Sequence, residues 1–378
     1  MRAILWIACR HHMGELHVKH PDIAIRVINT TAPEDSMFKK FQAIFEELPA
    51  CEYRLYEWPT EVVQPLDFLT SRAMDVLQWG TEQMQMGTFS EQRDDYRELC
   101  ELVTFYLGGS VSRKRKLGNV VPITFKMRHP GAFHQARFLA KALYIIKMSM
   151  MMDILPDDVV PTEKQEAVDR MAQFIVLFHA KYFLQAFLPA AGTRLDLELW
   201  KNMSSYAMYD PRVSVEVQDS ILRQRWYLTQ ELSVLSLFDS GIEITERREI
   251  AQALLSFPRP QSFLPGQPIF PHISSESKIR DFIGSRSWLI FNLLDKANSE
   301  WLTLSPEEWE ENEEYVSMWE VVSSMSVTND TAERGVKKVV EYANSANDGG
   351  QRGTIINVAA WHHTQMSGYT KEDLENCL

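Results

Sequence analysis

Residues 35–48, DSMFKKFQAIFEEL, carry the pattern that decides the fold of this chain. Their apolar side chains recur at intervals of three and four residues, at Met37, Phe38, Phe41, Ile44, Phe45 and Leu48. This spacing places them on one face of an α-helix, because the helix turns once in about 3.6 residues. Asp35 and Ser36 precede the run and are suitable N-terminal capping residues. The stretch therefore predicts an amphipathic helix with a buried apolar face.

The same helical spacing recurs along the rest of the chain. It is present in residues 96–106, which end near Gly108 and Gly109, and in residues 133–152, 166–188, 217–238, 246–255, 277–294 and 330–344. Five prolines fall within residues 257–271. Because each proline disrupts the interior of a helix, this segment is predicted to be an extended connection, and it would divide the helical body in two. The sequence thus predicts a mainly α-helical fold.

The charge balance limits the kinds of partner. Among 378 residues, 51 Asp and Glu oppose 39 Lys and Arg, which gives a net charge of −12. A surface of this charge does not attract a polyanion as a whole, so any contact with nucleic acid must be local. The apolar stretch 174–191 contains His179, Lys181 and Gln185 and is a poor membrane span, so we expect no membrane partner. Four widely separated cysteines indicate reduced thiols and an intracellular protein.

The beginning of the chain has a different pattern. Residues 3–8 form a short, continuous apolar run that ends at a polar cluster, which is typical of a β-strand buried on both faces. Such a strand needs neighbouring strands for its backbone hydrogen bonds, yet the rest of the sequence offers few comparable runs. We therefore expect its partner strands to lie upstream of Met1.

Two short motifs follow one another in the first part of the chain. The sequence IACRHH, residues 7–12, ends the predicted strand and contains the spacing Cys9-x-x-His12. The sequence RHPGAFHQARF, residues 128–138, ends in the Arg-aromatic pair Arg137-Phe138.

A third motif lies near the other end. In the sequence SSMSVTNDTAERGV, residues 323–336, a serine-rich stretch precedes the acid-arginine pair Glu333-Arg334. In their order and spacing, over nearly the whole chain, the three motifs resemble those of DNA transposases of the hAT type and related transposon-encoded reading frames.

The resemblance implies a fold, an activity and site residues. It implies an RNase H-like core split by a long helical insertion, and cut-and-paste transposition that uses Mg²⁺ or Mn²⁺ and transposon-end DNA. Glu333 matches the last catalytic acid of the family, whose two partner aspartates come from strands before the CxxH element. DNA contacts are implied for Arg137, Lys141 and Arg334. A DNA contact is also implied for Phe138. The family usually has a tryptophan at this position, so the base-stacking role of that tryptophan is not carried over to Phe138.

The chemistry of such an active site sets a minimum number of acids. Cleavage and strand transfer use two divalent ions about 4 Å apart, held by carboxylates, one ion activating the attacking oxygen and the other stabilising the leaving oxygen. A single carboxylate cannot position both ions. Glu333 is therefore expected to bind metal only if partner acids are supplied, and we expect no cofactor in this chain.

Each of these residues also has a structural interpretation. Asp330 and Glu333 fit a helix capping box. Cys9 and His12 have spacing that suits zinc, but a tetrahedral site needs two more ligands, and a partly buried structural pair is the simpler interpretation.

The basic residues likewise allow two interpretations. The tetrad Arg113-Lys114-Arg115-Lys116 lies between glycines and is predicted to be on a loop, either as a solvated charge cluster or as a patch for phosphate contact or nuclear import. Three cations of one apolar helix, Arg137, Lys141 and Lys147, lie either on its solvated edge or against DNA phosphates.

The sequence therefore predicts three regions. Residues 1–20 are a remnant strand and helix of an RNase H-like core with the CxxH motif, residues 21–320 are an α-helical insertion domain, and residues 321–378 return to the core and carry Glu333. The predicted function is that of a transposase-derived fragment, nuclear or cytoplasmic and inactive by itself because the two upstream aspartates are not in it, with a homo-oligomer left open. The alternative is a non-enzymatic helical scaffold that binds DNA or protein and is derived from a transposase.

Overall fold

The computed structural model describes residues 9–26, 36–58, 67–89, 94–110, 112–114, 120–122, 125–130, 139–260, 268–294 and 299–325. All of them belong to one unit, Met1–Ser326. The predicted strand at residues 3–8 and the predicted helix at residues 330–344 lie outside the described residues. Of the predicted region 321–378, the structure describes only residues 321–325.

Helices form nearly all of the regular structure that is described. The α-helices are α1 Arg10–Arg26, α2 Ser36–Ile44, α3 Phe68–Met86, α4 Asp94–Tyr106, α5 Ala140–Met150, α6 Thr162–Phe174, α7 Ala180–Leu184, α8 Gly192–Tyr206, α9 Pro211–Arg223, α10 Gln230–Ser233, α11 Ile244–Leu255, α12 Leu289–Leu293 and α13 Glu313–Ser324. A π-helix, Ile175–His179, joins α6 to α7. The 3₁₀-helices are Phe45–Glu47, Met152–Ile154, Pro189–Ala191, Val234–Phe238, Ile279–Phe282, Ser285–Trp288, Glu300–Thr303 and Pro306–Glu311. The prediction of a mainly α-helical fold is confirmed.

The strands that are described form a single ribbon. Strand β1, Ser112–Lys114, pairs antiparallel with β2, Val120–Pro122, and Arg113 lies opposite Val121 in the register. The backbone of Arg113 and Lys114 therefore belongs to a strand, so the prediction of a loop is wrong for these two residues. Neither this ribbon nor the described helices test the RNase H-like remnant, which stays a prediction.

Local sequence explains where several helices begin and end. The Asp210 carboxylate accepts a hydrogen bond from the Val213 backbone N–H at 2.9 Å, and Pro211 occupies the first turn of α9. Asn312 caps α13 in the same way. Gly108 follows α4 with a φ of 81°, a left-handed conformation that glycine adopts without steric cost.

Two predicted helices are interrupted in the structure. Residues 217–238 contain the end of α9, then α10 and the 3₁₀-helix Val234–Phe238, because the chain leaves the helix at Gln224 and Thr229 caps the next one through its hydroxyl. Residues 277–294 form two 3₁₀ turns followed by α12 instead of one long helix. Two long helices, α3 and α8, were not predicted.

The described helices share one hydrophobic core that extends from Met13 to Val322. Residues on both sides of the proline-rich segment contribute to it, since the ring of Tyr315 stacks on that of Phe238 at 5.5 Å between centroids. The described parts of residues 257–271 have no helix, as predicted, but the segment does not divide the body in two. No helix in the described part of the chain is long and apolar enough to cross a membrane.

Candidate functional site

Helix α1 is unusually polar for a helix at the centre of the fold. Its sequence, RHHMGELHVKHPDIAIR, follows Cys9 directly, and it packs against α5, α6, α7 and α9. The side chains of Arg10, His17, Asp22 and Arg26 are all at least 98% buried. Buried ionisable groups are costly unless they are paired, so α1 is the place where this fold concentrates its polar chemistry.

The first turn of α1 carries a fully buried ion pair. Nη2 of Arg10 donates to Oδ1 of Asp196 at 2.8 Å, and both side chains are at most 1% exposed. The hydroxyl of Tyr182 donates to the same oxygen at 2.9 Å. Burial alone lowers the pKa of Arg10, but the Asp196 carboxylate raises it, and the guanidinium stays charged.

Aromatic rings enclose this guanidinium. Its central carbon lies 5.4 Å from the ring centre of Tyr182 and 4.8 Å from that of Tyr227, within the range of cation–π attraction. Gly192 makes room for the arrangement, because a Cβ atom at that position would be 2.3 Å from Cδ1 of Tyr227 and 2.9 Å from Nη1 of Arg10. We call Arg10, His17, His179, Tyr182, Asp196 and Tyr227 together the Arg10 cluster.

The π-helix supplies one of the two histidines of the Arg10 cluster. Nε2 of His179 lies 2.8 Å from the carbonyl oxygen of Gly14, which can only accept, so this nitrogen carries the proton. Burial lowers the pKa of His179 to about 4, so the ring is neutral near pH 7 and its Nδ1 is an acceptor. Single π turns within α-helices are frequent at functional positions, and here the turn aims an imidazole at α1.

The other histidine is fixed by α9. Nδ1 of His17 and Nδ1 of His20 lie 3.0 and 3.1 Å from the hydroxyl of Ser220, which itself donates to the carbonyl of Leu16 at 3.2 Å. Because a hydroxyl has one proton, both imidazoles donate to Ser220 through Nδ1–H. Burial, followed by His179 and Arg10, lowers the pKa of His17 well below its ordinary value.

A second charged group lies at the other end of α1. Nζ of Lys141 and Nη2 of Arg26 are each 2.6 Å from Oδ2 of Asp22, and Nε of Arg26 donates to Oδ1. Both cations face the ring of Phe38, at 5.3 and 4.9 Å. Burial raises the pKa of Asp22, but the hydrogen bond from Arg26 and the charge of Lys141 outweigh it, and the net shift is downward.

These contacts correct the view of Lys141 and Lys147 as residues on a solvated edge. The Lys141 side chain is only 15% exposed and its charge is paired with Asp22. Lys147 is 1% exposed, and its Nζ lies 2.6 Å from Oε1 of Glu98 and donates to the carbonyl of Arg128 at 3.0 Å. The solvated-edge interpretation is wrong because both ammonium groups are held inside the fold, whereas a DNA contact by Lys141 stays a prediction.

The CxxH motif spans the start of α1. Cys9 precedes the helix and is half-buried against the core, while the His12 side chain is 47% exposed, with Nδ1 3.2 Å from the Glu15 carboxylate. Within the described ranges, no three His, Cys, Asp or Glu side chains are placed to hold a metal ion.

The remaining predicted site residues are only partly described. The backbone of Arg113 and Lys114 lies on β1, and Arg115, Lys116, Arg137, Phe138, Glu333 and Arg334 lie outside the described residues. Sequence reasoning did not find the Arg10 cluster. The available signal was the number of ionisable residues at helical spacing in residues 10–26, but their partners are up to 203 positions away in the chain.

No model of a known protein family matches this sequence, and neither a search of curated proteins nor a search of solved structures finds a match.

Proposed function

We propose that this chain is a transposase-derived helical protein of the hAT type that binds DNA without cleaving it. Residues 3–8 and the start of α1 are then the remnant of an RNase H-like core, and the helices that follow are the insertion. Transposon-end DNA is the ancestral ligand, and the nucleus is the place where the protein would meet it.

The observation that carries DNA binding is a dense positive segment in an otherwise acidic chain. Four consecutive cations, Arg113 to Lys116, begin on β1 of the antiparallel ribbon, and the chain as a whole has a net charge of −12. Two-stranded ribbons fit the major groove of DNA, and Lys and Arg side chains neutralise phosphates. A local basic ribbon is the arrangement that lets an acidic protein contact a polyanion.

The absence of cleavage follows from the coordination chemistry of the matched acid. Glu333 is the one residue of this sequence that we match to the catalytic acids of the family. Two metal ions bridged by a phosphate need several carboxylates, so Glu333 alone does not assemble the site.

The interior of the fold supports a scaffold instead. The helix that follows the CxxH spacing, α1, contacts α5, α6, α7 and α9 and carries paired buried charges at both ends. A fragment that lacked the partners of Arg10 and Asp22 would leave each of these charges buried and unpaired. Each such charge would destabilise the fold by about 3–5 kcal/mol.

DNA binding is tested by fluorescence anisotropy with a labelled duplex at several salt concentrations. The logarithm of the affinity should fall linearly with the logarithm of salt, with a slope of roughly −0.9 for each phosphate neutralised. Replacing all four tetrad residues by alanine should make the slope shallower by about 3 to 4 and weaken binding at low salt.

The matched control removes four cations that lie on other exposed surfaces, Lys19, Arg223, Lys278 and Arg280, also by alanine. Its salt slope should stay within about 1 of the wild-type slope. Absence of binding at low salt, or an equal loss in the two variants, would refute the proposal.

A further inference from the structure

The Arg10 cluster contains five buried polar atoms that have no hydrogen-bond partner in the described protein. They are Nε and Nη1 of Arg10, Oδ2 of Asp196, Nε2 of His17 and Nδ1 of His179. All four side chains are at least 99% buried. Buried polar atoms are normally hydrogen-bonded, and each one left without a partner destabilises a fold by about 1–3 kcal/mol. We propose that the Arg10 cluster is a binding site for ordered water molecules, which join these atoms into one network.

The five atoms belong to side chains gathered around a single ring. The Tyr182 ring centre lies 5.4 Å from the guanidinium carbon of Arg10, 5.8 Å from the imidazole of His17 and 6.2 Å from that of His179. The hydroxyl of the same tyrosine is bonded to Asp196. The side chains that carry the unpartnered atoms thus lie around one tyrosine, which is the grouping that a shared set of water molecules requires.

The chemistry of the atoms selects water over an ion. Arg10 offers three N–H bonds, one on Nε and two on Nη1, while Asp196, His17 and His179 each offer one acceptor atom. An anion would bind the guanidinium but would face the Asp196 carboxylate and two imidazole lone pairs, and a cation would face the charge of Arg10. A water molecule can accept hydrogen bonds from Arg10 and donate hydrogen bonds to Asp196, His17 and His179.

The number of bonds also gives the number of molecules. Three donors and three acceptors make six positions, and a buried water typically makes about three hydrogen bonds, so about two water molecules fill the site. Tyr182 additionally lines a surface cleft of about 50 Å³ with Arg72, Lys181 and Gln185. This cleft is large enough for water, and Tyr182 belongs both to its lining and to the Arg10 cluster.

The direct test is a crystal structure of the whole chain at a resolution that shows ordered water. We expect density for about two water molecules within hydrogen-bond distance of Arg10 and Asp196. A cluster without density between its polar atoms would overturn the proposal, as would density for a bound anion such as chloride or sulfate.

A measurement in solution gives an independent answer. Magnetic relaxation dispersion of water counts long-lived internal molecules, and the variant Arg10→Met with Asp196→Leu should lose about two of them. The matched control is Arg194→Met with Asp239→Leu, because both oxygens of Asp239 already accept hydrogen bonds, from Arg194 and from the Gly241 N–H.

The control variant should keep the water count of the wild type. An unchanged count in the Arg10 and Asp196 variant, or an equal loss in both variants, would contradict the proposal. If the Arg10 and Asp196 variant does not fold, the density in the wild-type crystal decides.

Discussion

Substitution of Asp196 by alanine should strongly destabilise the fold. The change leaves the Arg10 guanidinium charged and 0% exposed, without the carboxylate that its Nη2 contacts at 2.8 Å. It also removes the acceptor of the Tyr182 hydroxyl. Breaking a buried ion pair on one side destabilises proteins by about 3–5 kcal/mol, and the lost hydroxyl bond adds about 1 kcal/mol, so we expect a loss of about 5 kcal/mol.

The double variant Arg10→Met with Asp196→Leu should recover most of that loss. Apolar side chains of similar volume carry no charge that must be desolvated, so its free energy of unfolding should lie within about 2 kcal/mol of the wild-type value. The exposed pair between Arg280 and Glu249, 3.2 Å apart, is the matched comparison. Glu249→Ala should reduce the stability by less than about 1 kcal/mol.

Urea unfolding followed by circular dichroism measures all of these variants on one scale. Since small domains are stable by about 5–15 kcal/mol, the Asp196 variant should lose a large part of its stability and unfold at a much lower urea concentration. A loss of less than about 1 kcal/mol, equal to that of the Glu249 variant, would refute the claim that this pair holds α1 in the core.

Three further predictions follow from burial. Protonation of His179 in the unfolded chain should lower the free energy of unfolding by up to about 3 kcal/mol as pH falls from about 6.5 to about 4, and buried His17 should add to this loss. His179→Gln should therefore make the pH dependence shallower in urea titrations, and an unchanged slope would contradict this. Gly192→Ala should destabilise the fold by about 1–3 kcal/mol, because the new Cβ would be 2.3 Å from the Tyr227 ring, and a lower melting temperature would show it. Exposed Cys51 should react with a thiol reagent in the native protein, whereas buried Cys100, whose pKa burial raises to about 12, should react only in urea.

The sequence was most informative where a helix has one apolar face. Residues 35–48 predicted α2 and the 3₁₀ turn after it, and the same spacing predicted α4 and α11. It was less informative where the apolar pattern continues through a change of chain direction. In residues 217–238 the helical spacing of apolar residues continues past Gln224, where α9 has ended. Only the cap formed by Thr229 shows that a new helix, α10, begins after it.

The candidate site was harder to predict for a physical reason. A buried charge is stable only beside its partner, and the partner of Arg10 is 186 positions away, on α8. Helical spacing determines the face on which Arg10 lies but not the helix that faces it. Cys9 and His12, in contrast, are recognisable in the sequence from their spacing alone. The burial of the residues beside them is known only from the fold.

The most direct test of the proposed function uses supercoiled plasmid DNA with the purified chain and Mg²⁺ or Mn²⁺. One sample is run on a native gel, and a second is freed of protein before electrophoresis so that the form of the plasmid is visible. We predict that the protein retards the plasmid and that the recovered plasmid is still supercoiled. Nicked or linear plasmid that depends on the metal ion, and that disappears with Glu333→Gln, would contradict a scaffold that binds DNA without cutting it.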